Sequence, residues 1–179
     1  KIPPGALEAL KKISADPERL LVFHSLSKRS NLPGLRSGFL ATGPKNIKRL
    51  GLLRNYGGSP LPSPLQHAAA AVWNDEEHVK KNRKLYALKY KIAHKILSDI
   101  KDYTSPEAGF FLWIKVKDSE KTTLDLWRET GVRVLPGAYL AQDHNGKNPG
   151  KDFIRVALVA QQEIIKEALI KIRSFIEKQ

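Results

Sequence analysis

Apolar and polar positions alternate along the chain in patterns that predict helices and strands in turn. Residues 5–13 show helical spacing, and a continuous apolar run at 20–23 is typical of a strand buried in a parallel sheet. A second short strand is predicted at 38–41, followed by a helix over about 44–54. The N-terminal part is therefore expected to hold two strands, joined by the loop 25–38.

A long helical pattern occupies the middle of the chain. The segment 55–64, rich in Gly, Pro and Ser, is expected to be irregular, and helical spacing then runs over 65–100 with a break near 74–77. We interpret residues 65–101 as a helix that connects two subdomains. The pattern thus predicts three parts: residues 1–64, the connecting helix at 65–101 and a C-terminal α/β part at 102–179.

Beyond residue 102 the two periodicities alternate, which indicates helices packed on a sheet and an α/β fold class. Strand patterns lie at 110–116, 132–135 and 153–159, and helical patterns at 122–130 and 162–177. The loop 141–151 contains Asn-Gly and Pro-Gly pairs and is expected to be an exposed turn.

Composition limits the class of protein. With 179 residues, of which 41% are hydrophobic, the chain is long enough for one sizeable core. It shows neither the run of roughly 20 apolar residues that spans a bilayer nor a secretory signal. The absence of cysteine excludes disulfides and fits a reducing cytoplasm, so we expect a cytoplasmic protein without a membrane partner. The chain also lacks methionine, and we expect it to begin in mid-protein.

The net charge of +13 raises the question of an anionic partner such as nucleic acid. The lysines, however, are scattered over predicted solvent faces of helices rather than interleaved with aromatic residues. Examples are Lys80, Lys81, Lys84, Lys89, Lys91 and Lys95. No nucleic-acid partner is therefore predicted.

The histidines and tryptophans are assigned structural roles. His24 is the exception, because it adjoins the loop 25–38 and suits either a pocket or a hydrogen-bonded structural position. The other histidines lack metal-ligand spacing, so no metal site is predicted: His67, His78, His94 and His144. The tryptophans are assigned to the core: Trp73, Trp113 and Trp127.

The loop after the first strand carries the clearest chemistry. Lys28 lies just past the C-terminal end of a predicted strand, where α/β sheets bind ligands, and a lysine amine forms Schiff bases with carbonyl compounds. Ser25, Ser27 and Arg36 offer the hydroxyls and the guanidinium that suit a phosphate dianion. Taken alone, these residues leave an ordinary surface turn equally open.

The spacing within the loop narrows the interpretation. Residues 25–38 read SLSKRSNLPGLRSG, and Arg36 follows Lys28 by eight positions. This stretch resembles the cofactor-lysine signature of the class I and II aminotransferases, Ser-x-Ser-Lys followed by Gly-x-Arg-x-Gly. It departs from the signature at Ser37, where many members carry an aliphatic residue. The resemblance implies the C-terminal portion of a fold type I transferase that depends on pyridoxal 5′-phosphate: the end of the large-domain sheet plus the small α/β domain.

The resemblance also implies roles for individual residues. Lys28 would hold the cofactor as a Schiff base and act as general acid and base, while Ser25, Ser27 and Arg36 would bind the cofactor phosphate. The segment 153–158 looks like the strand whose arginine, here Arg155, clamps the substrate α-carboxylate through two parallel hydrogen bonds. For Arg155 the alternative is a strand-edge arginine paired to a surface acid.

Within the family, residues 24–31, 55–59, 135–140 and 148–150 look most like the succinyldiaminopimelate aminotransferases. The likeness implies ping-pong amino transfer between glutamate and N-succinyl-2-amino-6-oxopimelate, in lysine and diaminopimelate synthesis. It also implies a homodimer, with candidate cross-interface residues at Tyr56, Ser59 and Ser63.

Family members carry an aspartate for the pyridine nitrogen and a glycine-rich phosphate loop upstream of the lysine. Neither feature is recognised in this sequence before Lys28, so we expect the chain to be a fragment that is inactive alone. Another enzyme of the same fold, such as a lyase or a decarboxylase, stays open, as does the aminotransferase-like sensor domain of a DNA-binding regulator. A basic nucleic-acid-binding module is a third alternative and predicts steeply salt-dependent DNA affinity.

Overall fold

The computed structural model describes residues 4–58 and 60–178. Packing divides the chain into Lys1–Lys81, here called the N-terminal unit, and Asn82–Gln179, here called the C-terminal unit. The boundary between these units falls inside a long helix. The three-part division at residues 64 and 101 stays a prediction.

The N-terminal unit follows most of the predicted element order. Helix α1 (Ala6–Lys12), strand β1 (Val22–Ser25), the single-turn helix α2 (Leu26–Arg29) and strand β2 (Gly38–Ala41) come first. Helices α3 (Pro44–Gly57), α4 (Ser63–Asn74) and α5 (Glu77–Leu97) follow. The helices predicted at 5–13 and 44–54 and the break near 74–77 are thereby confirmed. Proline near the start of α3 and α4 agrees with its preference for the first helical turn.

Strand β1 differs from the prediction in position, pairing and burial. It pairs antiparallel with β2, from Val22 opposite Ala41 to Ser25 opposite Gly38, so the expectation of a buried parallel strand at 20–23 is wrong. A parallel pair needs a crossover connection, whereas the intervening loop reverses the chain through α2 and a short 3-10 turn. Phe23 is 76% exposed. The apolar run predicted that this strand would be buried, but a sequence pattern does not show which residues pack against it.

The C-terminal unit has the predicted arrangement of helices on a sheet. Its elements after α5 are β3 (Phe111–Lys115), α6 (Ser119–Thr130), β4 (Leu135–Pro136), β5 (Phe153–Ala157) and α7 (Gln162–Ile176). The strands form an antiparallel sheet in the order β3-β5-β4. Helix α6 begins earlier than predicted because the Asp118 carboxylate caps it by accepting a hydrogen bond from the Lys121 N–H at 2.9 Å. Strand β4 is only two residues long and overlaps the predicted 132–135 at Leu135 alone.

A continuous hydrophobic core lies on one face of this sheet. Alternate residues of β3 and β5 point into it, and α7 contributes positions spaced by three and four, as an amphipathic helix does. The core includes Leu112, Ile114, Leu126, Ile154, Val156, Ile165, Leu169 and Ile172. Trp113 and Trp127 are 40% and 49% exposed, so their assignment to the core is wrong. Across the described residues, every helix is too short or too polar to cross a bilayer.

Lys89 departs from the solvent-facing position expected of it. Its side chain is 9% exposed, and the amine donates a hydrogen bond to the Leu158 carbonyl at 2.9 Å and lies 4.7 Å from the centre of the Tyr86 ring. Burial lowers the pKa of Lys89, because desolvation disfavours the charged amine. Lys89 is spaced by three, four and eight positions from Tyr86, Ala93 and Leu97 of the core cluster, so it lies on the buried face of α5, and the prediction from residue type was wrong.

Candidate functional site

The turn after β1 brings the predicted lysine and its two serines together. Ser25 ends β1 and caps α2, since its hydroxyl accepts a hydrogen bond from the Ser27 N–H at 3.1 Å. The hydroxyl oxygens of Ser25 and Ser27 lie 3.0 Å apart. Lys28 follows on the same helical turn and is exposed. Two hydroxyls and one amine therefore share a single helical turn, although residues 25–38 were predicted to be a loop, and their role as a cofactor site stays a prediction.

The backbone holds this turn against the returning end of the loop. Leu26 is fully buried, and its N–H donates to the Ser37 carbonyl at 3.1 Å. The Ser25 hydroxyl donates to the same carbonyl at 3.3 Å. A Cβ on Gly38 would come within 2.5 Å of the His24 carbonyl oxygen, so only glycine fits here. The loop thus returns beside the serine turn because a small residue stands at its end.

Arg36 lies next to this contact but faces a different partner. Its backbone adopts the left-handed conformation, with φ of 53°, which is uncommon for a residue with a side chain. Its guanidinium donates to the Pro33 carbonyl at 2.9 Å rather than to either serine hydroxyl. A guanidinium carries five N–H donors, so this bond leaves donors for an anion. Arg36 also lines an open groove of about 790 Å³ in the N-terminal unit.

His24 takes part in an aromatic cluster and also lines the same groove. Its ring centre lies 5.1 Å from that of Trp73 and 5.7 Å from that of Phe39, in edge-to-face arrangements. The His24 Nδ1 accepts a hydrogen bond from the Ser25 N–H at 3.0 Å. The His24 ring therefore stabilises the start of the serine turn by binding the backbone N–H of Ser25.

Arg155 belongs to the C-terminal unit and lies on the face of the sheet opposite the core. It stands on β5 between Trp113 of β3 and Leu135 of β4. Its guanidinium carbon lies 5.2 Å from the centre of the Phe111 ring. The Arg155 Nε is buried and has no hydrogen-bond partner among the described residues. Because an unsatisfied buried donor is costly, this atom marks a place for an acceptor such as a carboxylate.

The sequence pattern did not reveal a network beside Lys28. Arg29 and Ser30 bond to residues around the junction of α4 and α5, including His78. A weak local signal existed, since Asp75 precedes His78 by three positions at a helix start. The partners of Arg29 are far away in sequence and leave no local pattern.

The remaining candidates give less information. Tyr56 is 87% exposed on α3, Ser63 begins α4, and Ser59 lies outside the described residues. Within residues 4–58 and 60–178, no group of three or more His, Asp or Glu side chains is arranged to hold a metal ion.

Comparisons with known proteins identify similar chains. Residues 3–172 match the family model described as aminotransferase class I and II. A crystal structure of an aminotransferase from Neisseria meningitidis has 41% sequence identity and a TM-score of 0.91, over 97% of this chain and 45% of that one.

Two curated relatives match at lower identity. The 4-dedimethylamino-4-oxo-anhydrotetracycline transaminase of Streptomyces rimosus is 32% identical over 86% of this chain and 41% of its own length. The LL-diaminopimelate aminotransferase of Natranaerobius thermophilus is 31% identical over 92% of this chain and 42% of its own length. The chain thus spans less than half the length of the proteins that it matches.

Proposed function

The chain belongs to the class I and II aminotransferases, and from this membership we propose that it is the C-terminal part of an enzyme that transfers amino groups with pyridoxal 5′-phosphate. Its fold is part of the α/β fold type I aminotransferase fold, and it covers under half of the similar chains. The observation that carries the proposal is the turn that places Ser25, Ser27 and Lys28 together at the end of β1.

The donors around this turn fit the cofactor phosphate. The two serine hydroxyls lie 3.0 Å apart, and Arg36 adds a planar set of N–H donors beside Ser37. Hydrogen bonds to a phosphate dianion are charge-assisted, and the guanidinium adds a positive charge that the two hydroxyls lack. We assign Ser25, Ser27 and Arg36 to phosphate binding.

When bound, the cofactor supplies an aldehyde for covalent attachment and a ring that withdraws electrons from the reacting carbon. We assign Lys28 to the attachment and, once the amino substrate has displaced it, to movement of the proton at the substrate Cα. Arg155 binds the substrate carboxylate, and its planar guanidinium fixes the orientation of the substrate. The buried, unpartnered Nε of Arg155 supports this role.

For the substrates we propose glutamate as donor and N-succinyl-2-amino-6-oxopimelate as acceptor, in a ping-pong reaction of a homodimer. The resemblance of residues 24–31 supports this choice, and the net charge of +13 suits a substrate with several carboxylates. LL-diaminopimelate is the second candidate, because a relative at 31% identity is named for it.

The site assignment is tested on the full gene product that carries this chain. The protein is loaded with pyridoxal 5′-phosphate, reduced with borohydride and mapped by peptide mass spectrometry. We expect the pyridoxyl group on Lys28 and its loss in Lys28→Arg, with Lys12→Arg as an exposed control that keeps the adduct. An adduct on another lysine would contradict the assignment.

The substrate is tested with the same protein by measuring kcat/KM. Glutamate is paired with N-succinyl-2-amino-6-oxopimelate, and LL-diaminopimelate is offered in parallel as amino donor. We expect the succinylated acceptor to react faster by at least about tenfold, which corresponds to roughly 1.4 kcal/mol of differential transition-state binding. Faster turnover of LL-diaminopimelate would favour the second candidate. Elimination or decarboxylation products without amino transfer would contradict both.

A further inference from the structure

Arg29 follows Lys28 directly, yet its side chain is only 9% exposed and is directed into the protein. Its Nη1 donates to the Val72 carbonyl at 3.3 Å, and its Nη2 donates to the Trp73 carbonyl at 3.4 Å. The guanidinium carbon lies 4.9 Å from the centre of the Trp73 ring. The arginine therefore binds the end of α4 by two donors and by one ring contact.

These partners are suited to a guanidinium. The last carbonyls of a helix lack partners within the helix and form the negative end of its dipole, so a cation there is stabilising. Glu76, just past the end of α4, adds an ion pair with Nη2 of Arg29.

Ser30 extends the same attachment. Its buried hydroxyl accepts from Nη1 of Arg29 at 3.2 Å and bonds to Nε2 of His78 at 2.9 Å. The other ring nitrogen of His78 lies 2.8 Å from the Asp75 carboxylate, which also accepts a hydrogen bond from the Glu77 N–H at 2.8 Å. Both residues after Lys28 are thus tied to the α4–α5 junction.

This attachment matters because α2 cannot hold its own position. It contains four residues, and a helix of one turn is unstable without tertiary contacts. Leu26 buries one end of the turn and Arg29 anchors the other. Lys28 stands between these two anchors, so their contacts hold the backbone from which its side chain extends.

We infer that Arg29 is a positioning residue, which holds the turn of Lys28 in place for covalent capture of the cofactor and does not itself bind the cofactor. The inference rests on the proposed role of Lys28. In the capture step the Lys28 nitrogen bonds to the aldehyde carbon, and the aldehyde oxygen leaves as water with two protons from the amine. A displacement of about 1 Å lowers such a rate by up to roughly 100-fold.

The test separates covalent capture from binding, in the full gene product stripped of cofactor. Capture of pyridoxal 5′-phosphate is followed by the absorbance of the lysine-bound form and by borohydride trapping on Lys28. Binding alone is measured with pyridoxine 5′-phosphate, which has the same phosphate but no aldehyde. For Arg29→Met we expect capture slowed at least about tenfold and pyridoxine 5′-phosphate affinity within about twofold of wild type. Arg29→Lys restores little, because lysine lacks the planar fork.

Glu76→Gln provides a milder variant that keeps the carbonyl bonds and the ring contact of Arg29, and we expect a smaller slowing. Lys80→Met is the control, since Lys80 pairs with Glu77 at 2.7 Å on the exposed surface of α5. Normal capture in both Arg29→Met and Glu76→Gln overturns the inference. It is also overturned if the affinity for pyridoxine 5′-phosphate falls by the same factor as the rate of capture. If wild type itself forms no adduct on Lys28, the proposed function fails and the inference fails with it. If wild type forms the adduct and the variants capture the cofactor as fast as wild type, the inference alone fails.

Discussion

Single residues carry the anion chemistry proposed for this chain, and their surroundings differ. Arg36 is exposed and bonds the Pro33 carbonyl, whereas Arg155 is half-buried with its Nε unpartnered among the described residues. An exposed guanidinium without a ligand is hydrated by solvent, so it costs the protein little free energy. A buried donor without a partner destabilises the protein until an acceptor arrives. Arg155 is therefore the better residue for separating stability from function.

Replacement of Arg155 by Met is expected to weaken substrate binding with little loss of stability. The variant removes the unsatisfied donor and keeps an apolar stem against Phe111, so we expect the free energy of unfolding to fall by less than about 1 kcal/mol. The KM for the amino substrate is expected to rise by at least about tenfold, since a charge-assisted pair contributes roughly 1.5–3 kcal/mol. Urea unfolding and steady-state kinetics on the full gene product measure both. Marked destabilisation with an unchanged KM would instead indicate a structural arginine.

At the scale of elements, short polar contacts decide where helices begin. The Asp118 carboxylate caps α6 by accepting from the Lys121 N–H. The Asp75 carboxylate, directly after α4, accepts from the Glu77 N–H at the start of α5. The N-cap at Asp118 explains why α6 is longer than its hydrophobic pattern predicts. Asp75 also joins the network of Ser30 and His78, so its ionisation is linked to the stability of the N-terminal unit.

The hydrogen bond from His78 holds the pKa of Asp75 below its usual value of 3.8, and the Glu77 N–H lowers it further. Because the folded-state pKa lies below the unfolded one, this group stabilises the fold above pH 3.8, and the contribution is lost as the pH falls through the folded pKa. Asp75→Asn keeps a capping side chain but removes the charge. We expect the stability difference between wild type and Asp75→Asn to be largest near neutral pH and to shrink below pH 3.8. Unfolding midpoints across this range measure it, and a constant difference would contradict it.

At the scale of the whole molecule, the core is unevenly distributed. The buried hydrophobic cluster belongs to the C-terminal unit, whereas the N-terminal unit leaves Phe23, Leu53 and Tyr56 exposed by 76%, 65% and 87%. Apolar burial is the main favourable contribution to folding, so the two units differ in their capacity to fold alone.

We expect residues 82–179, produced alone, to unfold cooperatively in urea and residues 1–81 to show no cooperative transition. Leu112→Ala in the 82–179 fragment should lower the free energy of unfolding by about 2–5 kcal/mol, because Leu112 is fully buried and its truncation leaves a cavity. Leu124→Ala is the matched control, since Leu124 is 46% exposed. Circular dichroism against urea measures each transition. A cooperative transition in 1–81 would show that its few buried residues suffice.

The sequence by itself determined the α/β order of elements, the strand positions of the C-terminal sheet within a few residues, and the spacing of Ser25, Ser27 and Lys28 in the segment after the first strand. These features depend on periodicity, turn residues and spacing within one helical turn, which are local properties of the chain. Only the tertiary structure decided that β1 pairs antiparallel, that Lys89 is buried and that Arg29 binds α4. Such features depend on partners far away in sequence: Arg29 and Val72 are 43 positions apart, and no local pattern encodes which carbonyls a guanidinium will meet.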